Sequence, residues 1–281
     1  MVTLRAVHPI AFHLGGLTVR WYGVMIAVAF LIGLWTAARR APRAGIPGEK
    51  IYDLGLWLIV GGIVGARLFY VVSYPEQVFE RPLFPNAPWT EVFMVQRGGL
   101  VFYGGLIGAS VAGVLFAWAR KLPLWKLADV LAPSIALGYV PGRIGCFLNG
   151  CCFGRVCDWP WAVRYPPQSD VWQRHFDAGL TTPGAPSAPV HPTQLYDALL
   201  SLALYVGLAV LFRRRRFDGQ IFATYLMGYA IQRSWVELFR GDYPPGHLHA
   251  GFTPAHLWSL VALAAGATLF WTLQRAASKR G

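Results

Sequence analysis

WYGVMIAVAFLIGLWTAARR, residues 21–40, runs without a charge from Trp21 to Ala38 and stops at Arg39 and Arg40. A hydrocarbon core about 30 Å thick needs about 20 apolar residues in a helix, the backbone bonding to itself where no water is available. Six further runs follow the same plan, giving expected spans at 21–38, 51–72, 98–119, 127–148, 195–212, 219–239 and 255–274. Composition agrees: of 281 residues 55% are hydrophobic and only 14% charged, whereas soluble domains carry about a quarter charged residues. The runs are continuous and do not alternate, which argues for helices over a β-barrel. The chain therefore reads as an all-α integral membrane protein of about seven transmembrane helices, one membrane domain over 1–281, with a head insertion at 149–194. His8, Pro9 and His13 interrupt any apolar core near the N-terminus, so no cleaved signal peptide is expected.

The net charge of +12 would suggest nucleic acid in a soluble protein, but here the placement of the cations is topological, and no nucleic-acid partner is expected. Arg39, Arg40, Arg43 and Lys50 follow the first run, and Arg120, Lys121 and Lys126 the third. Arg213 to Arg216 follow the fifth, and Arg275, Lys279 and Arg280 the seventh. These are fourteen of 25 basic residues. The positive-inside rule then puts the N-terminus outside and the C-terminus in the cytoplasm, and makes the head extracytoplasmic.

Arg67, Arg143, Arg233, Glu237 and Arg240 fall in or at the ends of apolar runs, where a charge costs about 2.5–3.5 kcal/mol at the centre on insertion scales. Tyr229, Arg233 and Glu237 are four apart and share a helix face, so Arg233 and Glu237 are placed to pair. One reading is an ion pair that holds helices together. The other is an anion site: Arg143 and Arg233 both lie toward the outer ends of their spans, at the depth of a phospholipid phosphate. Gly98, Gly99, Gly104, Gly105 and Gly108 around Tyr103 suit either close helix packing or backbone contact with a ligand. No Walker-type lysine follows them. Cys146, Cys151, Cys152 and Cys157 lack the spacing of paired zinc knuckles. Packing by buried thiols is preferred for Cys146, disulfides are open to the others, and no metal or cofactor is expected. His191 opens His191-Pro192-Thr193-Gln194-Leu195-Tyr196-Asp197. It is either an interfacial turn residue or a base near the outer surface.

The string from Gly142 to Arg155, GRIGCFLNGCCFGR, resembles the signature of the bacterial prolipoprotein diacylglyceryl transferases. Also similar are Trp21-Tyr22-Gly23, Gly65-Ala66-Arg67-Leu68, the stretch Gly98 to Gly108, the run His191 to Tyr196, and Tyr229, Arg233, Glu237 and Arg240 at their spacing. The resemblance implies an enzyme of the bacterial plasma (inner) membrane. Such an enzyme moves the diacylglyceryl group of phosphatidylglycerol onto the lipobox cysteine of a preprolipoprotein signal peptide and releases glycerol phosphate. By the same resemblance Arg143 and Arg233 hold the lipid phosphate, with Asn149, Gly154, Glu237 and Tyr22 nearby. Members of the family often carry a histidine where this chain has Tyr103, so Tyr103, His191 and Glu237 all stand as candidates for taking the thiol proton. The alternative is a non-catalytic paralogue that binds phosphatidylglycerol or moves lipid.

Overall fold

The computed structural model describes residues 2–3, 9–15, 17–79, 88–94, 98–242 and 252–279; His8, His247, His249 and Arg280 lie outside them. Nine α-helices are described: α1 (Trp21–Arg40), α2 (Gly48–Ser73), α3 (Pro75–Phe79), α4 (Phe102–Ala119), α5 (Leu124–Asn149), α6 (Asp170–Asp177), α7 (Thr193–Arg213), α8 (Gln220–Glu237) and α9 (Pro254–Ser278). The strands are short: β1 (Val2–Thr3) runs parallel to β4 (Val163–Arg164), and β2 (Ile10–Leu14) pairs antiparallel with β3 (Leu17–Arg20). The protein is an all-α integral membrane protein. Leu31, Leu56, Val72, Leu199 and Leu260 are all more than half exposed on the long helices, a surface that lipid covers and water does not.

Six helices are long and apolar enough to cross a membrane: the α1 region, α2, α4, α5, α7 and α9. The expected sixth span, 219–239, does form a helix, α8, but falls short on apolarity among the described residues. The cause is the polar set Gln220, Gln232, Arg233 and Glu237, three of which are buried. Packed against both α7 and α9, α8 turns these groups toward protein. The third run also starts later than 98, because Gly98 and Gly99 adopt positive φ and the helix begins at Phe102.

The chain divides into two compact units, residues 37–127 and residues 1–36 with 128–281. In the first, α2 and α4 pack through glycines. A Cβ on Gly65 would lie 2.4 Å from the Gly104 carbonyl oxygen, and one on Gly108 would lie 2.2 Å from that of Gly61. Of the two readings open to Gly104 and Gly108, the backbone approach selects close packing. Gly108→Val is expected to lower the thermal midpoint strongly, because the obstructing atoms are backbone and cannot rotate away. Unfolding of the purified variant in detergent checks this, and an unchanged midpoint would contradict it. Arg67 is also accounted for here. Its guanidinium donates to the carbonyls of Glu91, Val92, Gly98 and Gly99 and so pins the chain entering α4.

In the second unit, Asp129 of α5 is fully buried and accepts hydrogen bonds from the backbone N–H groups of Gly219, Ile221 and Phe222 at 2.8–2.9 Å. It thus caps the start of α8 with a charge that suits the helix dipole. Between α5 and α7 the insertion builds its own small core from Phe153, Val163, Tyr165, Val171 and Val190.

Candidate functional site

The site lies in the second unit, where α5, α7 and α8 meet. Tyr139 of α5 and Tyr229 of α8 pack edge to face with ring centroids 5.9 Å apart. Arg143 and Arg233 each stand one helical turn beyond a member of this pair. Pro141 lies within α5, and its missing N–H interrupts the ladder just before Arg143.

Each arginine has a carboxylate. Arg143 Nη2 lies 3.0 Å from Asp197 Oδ2, with only 2% of the Asp197 side chain exposed, and it also donates to the Tyr139 hydroxyl. Gln232, next to Arg233 in sequence, donates from Nε2 to Asp197 Oδ1 at 3.2 Å and to Ser201 Oγ at 2.6 Å. The two arginines therefore belong to adjoining networks. Arg233 Nη1 lies 2.7 Å from Glu237 Oε2, and Arg240 Nε lies 4.0 Å from the same oxygen. The Thr253 hydroxyl, which also caps α9, donates to Glu237 Oε1 at 2.6 Å. Arg240 in turn forks onto Asp242. Glu237 is thus a buried acceptor surrounded by donors. Arg143 keeps one buried donor, Nε, for which the described residues offer no acceptor.

The helix end below this site is set by Asn149-Gly150. Gly150 takes the left-handed conformation at φ 72°. Its N–H bonds the Phe147 carbonyl, and the N–H of Cys151 bonds that of Cys146 at 3.1 Å, the paired bonds of a Schellman turn. Asn149 ends α5. The same turn gathers three thiols: the sulfurs of Cys146, Cys151 and Cys152 all lie within 4.8 Å of one another. The C-x4-C-C spacing alone did not signal this.

Gly154 sits where three backbones cross. Its N–H bonds the His191 carbonyl at 3.0 Å, while Arg155 N–H bonds the Phe239 carbonyl at 2.8 Å and Gly241 N–H that of Phe153 at 3.2 Å. A Cβ on Gly154 would lie 2.5 Å from His191 Cβ and 2.6 Å from its oxygen. His191 itself is buried among aromatic rings, with Trp159, Phe239 and Tyr196 centroids at 5.0, 5.2 and 6.0 Å. Its Nδ1 is 3.1 Å from the Tyr196 hydroxyl. Burial pulls its pKa down, so the ring is neutral at neutral pH.

Of the residues singled out from sequence, Arg233 and Glu237 pair directly, and Arg143 belongs to the adjoining Asp197–Gln232 network. Gly154 and His191 adjoin one another, and Gly154 bridges to Arg240. Tyr22 flanks α5 at Gly145. Tyr103 belongs to the other unit, is 63% exposed and contacts Phe102. Asp197, Gln232, Tyr139 and Thr253 were not anticipated. Asp197 had a readable signal, being a carboxylate inside an apolar run.

The family model for prolipoprotein diacylglyceryl transferase matches residues 9–272. The chain is 35% identical over 281 residues to the phosphatidylglycerol–prolipoprotein diacylglyceryl transferase of Synechococcus elongatus, covering 95% of this chain and 89% of that one. It is 34% identical to the enzyme of the same name from Pseudoalteromonas translucida, over 97% and 96%. With that from Geobacillus kaustophilus the identity is 37%, over 85% and 83%.

Proposed function

The chain belongs to the prolipoprotein diacylglyceryl transferase family, and from that premise we propose that Arg143 and Arg233 bind the phosphate of phosphatidylglycerol while its diacylglyceryl group passes to a lipobox cysteine. The protein is a multi-pass membrane transferase. The observation that carries the finer reading is the pair of arginines, each one helical turn beyond a member of the Tyr139–Tyr229 contact, with a buried Arg143 donor left for a ligand. In the proposed step the acceptor thiolate forms a carbon–sulfur bond to the glyceryl carbon and the carbon–oxygen bond to phosphate breaks. The products are a thioether and glycerol phosphate. The leaving phosphate passes from monoanion toward dianion, and fixed guanidiniums stabilise that added charge more in the transition state than in the substrate. Asn149 and Gly154 flank the thiol-bearing turn, and Tyr22 lies against the same helix. Glu237, held by Arg233, Arg240 and Thr253, is read as orienting Arg233.

Topology supports an active site on the extracytoplasmic side of the plasma membrane. Arg213 to Arg216 follow α7 and Arg275 and Lys279 end α9. For both groups to face the cytoplasm, α8 must cross back between them, shielded by its neighbours.

Phosphatidylglycerol supplied with a lipobox peptide is expected to release glycerol phosphate, and none is expected with a peptide carrying serine for cysteine. Lipid binding without release would support the lipid-moving reading instead. The thiol proton goes to one of three candidates, Tyr103, His191 and Glu237, and substitution separates them. Tyr103→Phe is expected to slow transfer by about 10²-fold or more, the scale of acid–base roles. An unchanged rate removes Tyr103 from the mechanism and leaves His191 and Glu237.

A further inference from the structure

We propose that Cys146, Cys151 and Cys152 form a three-thiolate site for a soft divalent cation of the Zn²⁺ class. Nothing in the transfer reaction described above requires these thiols, and the inference does not depend on that reaction. All three sulfurs lie within 4.8 Å of one another. Zinc bound to thiolates at about 2.3 Å sets sulfurs about 3.8 Å apart, so side-chain rotation closing each gap by at most about 1 Å completes the site. The backbone is already arranged for it. The Schellman turn at Gly150 brings the last residues of α5 against the chain beyond, which is how Cys146 meets Cys151. Cys152 is one of three described non-glycine residues with positive φ, at 60°, a conformation that costs about 1 kcal/mol or more and persists where surrounding contacts enforce it. Those contacts are visible: Gln194 Nε2 donates to the Cys151 carbonyl at 2.7 Å and the Thr193 hydroxyl to the Cys152 carbonyl at 2.8 Å.

Charge favours the same occupant. Three thiolates and one divalent cation carry a net single negative charge, and the Arg240 and Arg143 guanidiniums both act on Cys152. There is also an approach. Cys151 and Cys152 line a cleft of about 380 Å³ with Asp170, Gln173, Arg174 and Asp242, through which a cation reaches the thiols. The fourth position of the cation is left to water, since no fourth His, Cys, Asp or Glu ligand joins the cluster among the described residues. Loading releases the thiol protons to solvent, and no oxidant or reductant is involved.

The test uses the purified full chain, stripped with chelator in the absence of lipid and peptide, then titrated with Zn²⁺ and separately with Co²⁺. Expected are one bound equivalent, a thiolate-to-cobalt charge-transfer band, and protection of three of the four thiols from alkylation read by mass spectrometry. Cys157→Ser should retain the band, and Cys151→Ser/Cys152→Ser should lose it. Wild-type alkylation is read alongside, so a misfolded variant does not decide the matter. No band, a band that survives the double substitution, or a disulfide among the three cysteines would each overturn the site. Because none of these readouts involves turnover, failure of the metal site and failure of the transferase reading are seen separately.

Discussion

Arg143→Ala is expected to reduce lipid transfer by at least about 10²–10³-fold, the effect of removing one preorganised partner of developing charge. The substitution has a second consequence that must be separated from the first. Asp197 is buried, and without Arg143 its charge keeps, among the described residues, the Gln232 donor. Breaking one side of a buried pair costs about 3–5 kcal/mol, so a loss of activity could reflect a loss of folded protein. Arg143→Ala/Asp197→Asn removes the stranded charge as well. It is expected to regain thermal stability and remain inactive. Arg143→Lys keeps the charge but loses the planar fork that suits phosphate, so it should fold and transfer slowly. Arg233→Ala is expected to abolish transfer with a smaller loss of stability, because Glu237 retains Thr253 and Arg240. Wild-type rates in either alanine variant, measured on monodisperse protein, would remove that arginine from the phosphate site.

Gly154→Ala carries the second large effect. The added carbon would meet His191 Cβ at 2.5 Å, the His191 oxygen at 2.6 Å and the Phe239 oxygen at 2.8 Å. Two of these are backbone atoms with no rotamer to escape into. The crossing must open, and the Gly154–His191 and Arg155–Phe239 hydrogen bonds open with it. Overpacking of this kind costs about 1–3 kcal/mol, and the displaced strand carries Arg155 and, through its bridge, Arg240. Transfer should fall by about the factor of 10² that a misplacement near 1 Å produces. Gly207→Ala is the control: nothing lies within 4 Å of its added carbon, and both melting temperature and rate should match wild type. A Gly154→Ala protein as active as wild type would show that the crossing is not tied to the site.

Much of the membrane architecture was legible because one physical cause, the absence of water, acts on every residue of a span. The apolar runs therefore mark α1, α2, α5, α7 and α9 closely. The same signal weakens at α8, where buried polar groups serve neighbouring helices, and there the loop charges carry the argument. Within the site, Arg233 and Glu237 could be paired from their spacing because a single helix fixes it. The partners that tertiary packing supplies could not. Asp197 meets Arg143 across 54 positions of sequence, and Asp129 caps a helix that starts 91 positions later. Arg67 shows the converse: an intramembrane charge that invited a functional reading is consumed by four carbonyls. The thiols fall between these cases. Asn149-Gly150 after an apolar run signals a left-handed helix end, and such an end sets the residue four before its glycine beside the one after it. Spacing compared only with zinc knuckles overlooks that geometry.

The most direct test of the assignment is the intact mass of a lipobox peptide after incubation with the purified protein and phosphatidylglycerol. A mass gain of one diacylglyceryl group, located on the cysteine and matched by an equal amount of glycerol phosphate, is the result expected here. An unmodified peptide in the presence of protein that binds phosphatidylglycerol would contradict it.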